Sequence, residues 1–147
     1  GTFNANPVSA AAAVACLSKC ANPDVQKHCD SIAASLRSGM NTVLESRGLP
    51  GGIWGESSAF HIILDETPKN RTSGDLHIPE GIHPEKLKSS AKAGRSGPLA
   101  IAMELEGVDL FGGGGMTSVA HTAEDATFTI AAFEKALDRM VEDGYFD

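Results

Sequence analysis

Between Asn22 and Gly48, apolar residues return in steps of three and four: Val25, Cys29, Ile32, Leu36, Met40, Val43 and Leu44. That period places them on one stripe of an α-helix. Asn22-Pro23 supplies a cap and a first-turn proline, and Arg47 followed by Gly48 supplies a stop. The spacing therefore predicts a long one-sided helix ending near Arg47, whose apolar face must lie on other elements. A chain of 147 residues, 41% hydrophobic and 21% charged, can form one domain with a core around it.

The remaining stretches suggest what those elements are. Gly1-Thr2-Phe3-Asn4-Ala5-Asn6-Pro7 is a glycine-led, hydroxyl-bearing turn set against a helix start, suited to holding a phosphate or another anion. The helix it leads into, Val8 to about Cys20, is alanine-rich nearly all round, so we expect neighbours on every side and a larger partner to provide them. Leu49-Pro50-Gly51-Gly52 is a turn, and Ile53 to Leu64 is rich in strand formers. From Asp65 to Gly97 periodicity is lost, with a short helix around Glu85 to Ala93. Leu99 to Glu106 is helical and stops at Gly107. Val108–Phe111 and Met116–Ala120 read as two strands joined by Gly112 to Gly115, a hairpin turn rather than a phosphate cradle, because the glycines lead into a strand and not into a helix. Thr122-Ala123-Glu124-Asp125 has the form of a capping box. It opens a last helix with Ala126, Ile130, Phe133, Leu137, Met140 and Val141 on one face and Gly144 at its end. The order describes a layered α+β domain with a small antiparallel sheet.

Composition narrows the chemistry. A net charge of −7 argues against an electrostatic nucleic-acid surface. The longest apolar run, Ala10 to Leu17, is too short for a bilayer span and has no basic segment before it, so no signal peptide is expected. Cys16 and Cys20 share a helix face and could form a redox or metal pair, but small buried residues are the favoured reading. Three cysteines, an odd number, fit a reducing compartment. His61 suits a strand position facing solvent or a polar neighbour. His77 and His83 lack the ligands that would complete a zinc site, so no metal is expected.

Three stretches also resemble a family. The Gly1–Pro7 turn with its alanine-rich helix, Glu106-Gly107-Val108-Asp109-Leu110, and Ala120-His121-Thr122-Ala123-Glu124-Asp125 are similar, in order and spacing, to segments of class III pyridoxal-phosphate-dependent aminotransferases. Gly51 to Leu64 is similar to the first small-domain strand region. The nearest branch is that of glutamate-1-semialdehyde aminomutase.

The resemblance implies the C-terminal portion of an enzyme of aspartate-aminotransferase fold (fold type I). Residues 1–22 would end the large cofactor-binding domain, 23–48 would be a linking helix, and 49–147 the small domain. It implies a homodimer, cytoplasmic, with pyridoxal 5′-phosphate whose phosphate is contacted across the interface by Gly1 and Thr2. The Schiff-base lysine would lie upstream, since Lys19, Lys27, Lys69, Lys86, Lys88, Lys92 and Lys135 lack the family's surrounding sequence. On that expectation the chain holds no catalytic residue, is incomplete alone, and has the N-terminal part of the enzyme as its partner.

Two departures bear on substrate. Residues 112–125 contain no arginine for a substrate carboxylate, and Gly112 to Gly115 stand where the aminomutases have a longer segment with a glutamate. Aminotransfer between an amine or amino acid and an oxo acid or aldehyde is thus favoured over intramolecular aminomutation. A non-catalytic α+β interaction module, docking through the first helix, is the alternative of another class.

Overall fold

Both Asn-Pro pairs open helices. In the computed structural model of the chain, which describes residues 5–89 and 94–147, α1 spans Pro7–Cys20 and α2 spans Pro23–Ser46. The Asn6 and Asn22 side chains accept first-turn amides, satisfying donors that a helix leaves without partners. Gly48, at φ 62°, reverses the chain after α2, a conformation that costs glycine little.

The strands β1 (Gly52–Trp54), β2 (Ala59–Ile63) and β3 (Gly114–Met116) form an antiparallel sheet in the order β1-β2-β3. Ile53 faces Ile62 and Phe60 faces Gly115 in its register. Between β2 and β3 run a single 3₁₀ turn (Arg71–Ser73), α3 (Pro84–Ser89) and α4 (Ser96–Leu105). The last element is α5 (Ala123–Glu142). The α2 stripe packs against the first two strands and α5, while α4 packs on α5. Leu36, Met40 and Leu44 meet Ile53, Phe60, Leu99, Met103, Phe133 and Leu137 in one core. This is the expected α+β arrangement of helices on a small antiparallel sheet.

Two polar residues share the buried side of α2. Arg37, 2% exposed, donates to Asp75 at 2.5 Å and to the carbonyls of Ser57 and Ala59 at 3.0 and 2.8 Å. Asn41 exchanges hydrogen bonds with the Ile53 backbone and also donates to the Gly74 carbonyl. A buried charge is tolerable only when its donors are satisfied in this way. Together these side chains tie the β1–β2 turn and the polar segment after β2 to one helix. That segment is therefore packed, with Leu76 and Ile82 buried.

Several local expectations need correction. The stretch from Ile53 to Leu64 is a hairpin broken at residues 55–58, where a Cβ on Gly55 would sit 2.3 Å from the Ala59 carbonyl oxygen. Val108–Phe111 forms no strand. Gly112 and Gly113, both at positive φ, reverse the chain as expected, but the next strand begins within the glycine run and ends at Met116. The reason is steric. A Cβ on Gly114 would lie 2.2 Å from the Phe60 carbonyl oxygen and one on Gly115 would lie 2.7 Å from the Phe60 ring, so bare backbone lets β3 close on β2. Val141, expected on the buried face of α5, is 46% exposed. The short helix expected to Ala93 is seen over Pro84–Ser89, and Ala93 lies outside the described residues.

Nor do the described residues enclose α1. None of its residues is buried, and α2 is its main contact. Cys16 and Cys20, expected as buried, are consequently exposed, whereas Cys29 on the α2 stripe is buried.

Candidate functional site

Gly1 and Thr2, the expected phosphate contacts, lie outside the described residues. The helix start beside them offers an anion few amides. Pro7 has no N–H, Val8 and Ser9 donate to Asn6 Oδ1 at 3.0 and 3.2 Å, and Ala10 donates to the Asn6 carbonyl at 3.0 Å. The cap has taken the donors that an unprotected helix N-terminus would present.

The two later motifs, separated in sequence by the nine residues 111–119, line one cavity together. Gly107, at φ 87°, ends α4 and turns the chain, with the Val108 amide bonded back to the Met103 carbonyl at 2.9 Å. Glu106 is held to α5 by Arg139 at 2.9 Å and Lys135 at 3.8 Å. The segment after Glu106 forms one wall of a cavity of about 460 Å³, through Gly107, Val108 and Asp109; Ala120, His121 and Asp125 form the facing wall. A smaller cavity of about 160 Å³ lies between Val108–Phe111, Gly114–Thr117 and His121. His121 borders both.

The facing wall is set by the start of α5. The Thr122 amide donates to Asp125 Oδ2 at 2.7 Å and the Asp125 amide to Thr122 Oγ1 at 3.3 Å, which completes the expected capping box. The Thr122 amide, and then its hydroxyl, hold the Asp125 carboxyl below the usual carboxylate range. Thr117 anchors the other end of the loop, donating through Oγ1 to the Cys29 carbonyl at 2.7 Å. His28 Nε2 reaches the His121 carbonyl at 2.8 Å. Thr117 and His28 give no signal in the sequence, because no spacing rule connects a residue of α2 with a loop ninety positions later.

Among the described residues lining these two cavities there is neither lysine nor arginine. They offer carboxylates, an imidazole, hydroxyls and apolar surface, so a substrate carboxylate would find no ion-pair partner here.

The other candidates are dispersed. His61 is exposed and pairs across the sheet with Trp54, ring centroids 4.6 Å apart. His77 and His83 are exposed. Lys86 pairs with Glu66, and Lys92 lies outside the described residues. Hydrogen bonding with Cys16, and then that neighbour's charge, push the Cys20 thiol up. Among the described residues, no group of three or more His, Cys, Asp or Glu could hold a metal ion, and no helix is long and apolar enough to cross a membrane.

Comparison with known proteins gives these features a context. No family model matches the chain. It is 32% identical over 146 residues to the glutamate-1-semialdehyde 2,1-aminomutase of Methanopyrus kandleri, an alignment covering 95% of this chain and 30% of that protein. Its fold matches an omega-transaminase from Sphaerobacter thermophilus with a TM-score of 0.71 at 26% identity, over 94% of this chain and 29% of that one. A transaminase with PLP bound matches in fold with a TM-score of 0.73 at 23% identity, over 98% of this chain and 30% of that one. The chain thus spans under a third of the length of each. It is therefore similar in sequence to part of a glutamate-1-semialdehyde aminomutase and in fold to part of an omega-transaminase.

Proposed function

We propose that this chain is the C-terminal portion of a class III pyridoxal-phosphate-dependent aminotransferase. The whole enzyme would move an amino group between an amine or amino acid and an oxo acid or aldehyde. What carries the reading is the convergence of Glu106–Leu110 and Ala120–Asp125, the two stretches that resemble the family, around one cavity.

The donors of this chain suit the cofactor's phosphate. With the first amides of α1 taken by Asn6, a phosphate at that corner would be held by the Gly1 amide and the Thr2 hydroxyl, good donors to a dianion. When bound, pyridoxal 5′-phosphate serves as the electron sink for amino transfer. The chain's own part is to bind the phosphate and to wall the substrate space. The phosphate would belong to the neighbouring subunit of a cytoplasmic homodimer, a compartment that three free thiols suit. The absence of buried residues in α1 supports assigning 1–22 to a large domain, 23–48 to a linking helix and 49–147 to the small domain.

The test uses the full-length parent with pyridoxal 5′-phosphate. We expect a visible cofactor absorbance band and turnover that requires a separate 2-oxo acid or aldehyde acceptor. Thr2→Ala should weaken cofactor retention about tenfold or more, the worth of a hydrogen bond to a charged group. Turnover without a separate acceptor would point to aminomutation instead. A parent that neither holds the cofactor nor transfers amino groups would refute the reading.

A further inference from the structure

The loop between β3 and α5 has little ladder or helix to hold it, yet side-chain hydrogen bonds hold nearly every residue. Thr117 donates its amide to the Ser58 carbonyl at 2.8 Å and its hydroxyl to Cys29 in α2. The His121 amide donates to the Ser118 carbonyl at 3.1 Å, and the His121 carbonyl accepts from His28 Nε2. Ser118 Oγ accepts from the Ala120 amide at 3.3 Å.

At the centre, His121 Nδ1 lies 3.0 Å from both the amide nitrogen and the hydroxyl of Ser118. An amide nitrogen can only donate. Nδ1 therefore carries no proton, and the ring is the neutral tautomer with its proton on Nε2. The same residue borders both cavities formed by the two motif segments.

We propose that His121 is a positioning residue, whose unprotonated Nδ1 holds the 117–122 loop in the shape that makes it the shared wall of the two cavities. Its effect on turnover rests on the aminotransferase function proposed for the parent enzyme; its tautomer does not. The titratable groups facing it are Asp125 at the start of α5, Asp109 across the cavity and His28 on α2. Protonating the ring turns Nδ1 into a donor pointed at a donor, so the loop loses its central bond as the pH falls.

The experiment compares the full-length parent enzyme with His121→Ala and His121→Asn. His121→Ala should lower kcat/KM on the order of tenfold, as displaced active-site walls do. Asparagine offers the Ser118 amide an oxygen that does not titrate. His121→Asn should therefore restore most of kcat/KM and flatten its expected fall on the acid side. An asparagine variant that keeps the wild-type acid limb, or performs no better than alanine, overturns the proposal. Imidazole-nitrogen NMR of wild type supplies a second readout, independent of the reaction. At neutral pH it should show an unprotonated Nδ1 and a protonated Nε2; the opposite tautomer overturns the proposal whatever the parent enzyme catalyses.

Discussion

The helices α1 and α5 start equally well and end up in opposite environments. Asn6 accepts two amides at the start of α1, and Thr122 forms a reciprocal capping box at the start of α5. Yet α5 buries six residues, among them Phe133, Leu137 and Met140, and α1 buries none. Val14 and Leu17 are 65% and 67% exposed. Caps, alanine content and a first-turn proline decide that a helix forms. Whether it is buried depends on what else is there to cover it. For α5 the cover is α2 and α4; for α1 the described chain supplies little.

The contrast yields its largest effect in the core. Phe133→Ala removes a fully buried ring and should cost about 3–5 kcal/mol, read as a fall in the denaturation midpoint of this chain. Leu17→Ala should stay within about 0.5 kcal/mol in the same experiment, as exposed substitutions do. In the full-length parent the Leu17 cost should rise toward that of a core leucine, about 2–5 kcal/mol. Equal costs for the two substitutions in this chain alone would break the comparison.

What the sequence disclosed obeys the same division. The α2 stripe was legible because seven apolar residues and two end signals agree, and all but Val25 are buried. The bounds of α1 were legible and its surroundings were not, since alanine on every face says only that neighbours can approach. Arg37 and Asn41 stayed hidden because their partners lie 12 to 38 residues away, two of them, Asp75 and Gly74, in a segment without periodicity. The strand expected at Val108–Phe111 failed for a related reason. Strand propensity cannot show that the edge of β2 goes to Gly114–Met116, whose bare backbone fits against Phe60. At the candidate site, both motifs were legible through resemblance, but the cavity between them required the fold.

The caps offer a smaller and sharper test. Thr122→Ala removes the side chain that accepts the Asp125 amide, and α5 is part of the core, so the loss of about 1 kcal/mol should appear in global stability. Asn6→Ala removes the equivalent bonds from a helix that the core does not hold. Hydrogen exchange at the Val8 and Ser9 amides should quicken while the global midpoint stays put. A shift of the midpoint equal to that of Thr122→Ala would mean that α1 is coupled to the core after all.

Acid should separate the two caps by the smallest effect. Asp125 is held below the usual carboxylate range, chiefly by the Thr122 amide and then by its hydroxyl. The folded state thus binds this proton less tightly than the unfolded chain. The box contributes its stability above the ordinary carboxylate range and loses it as the pH falls through the lowered value. No acidic residue stands in the first turn of α1, and Asn6 has nothing to protonate. On acidification the Thr122 amide, which Asp125 accepts, should open before the amides of Val8 and Ser9, and Asp125→Asn should abolish that order. Simultaneous opening at both helix starts would show that the acid response belongs to the whole fold and not to the carboxylate of one box.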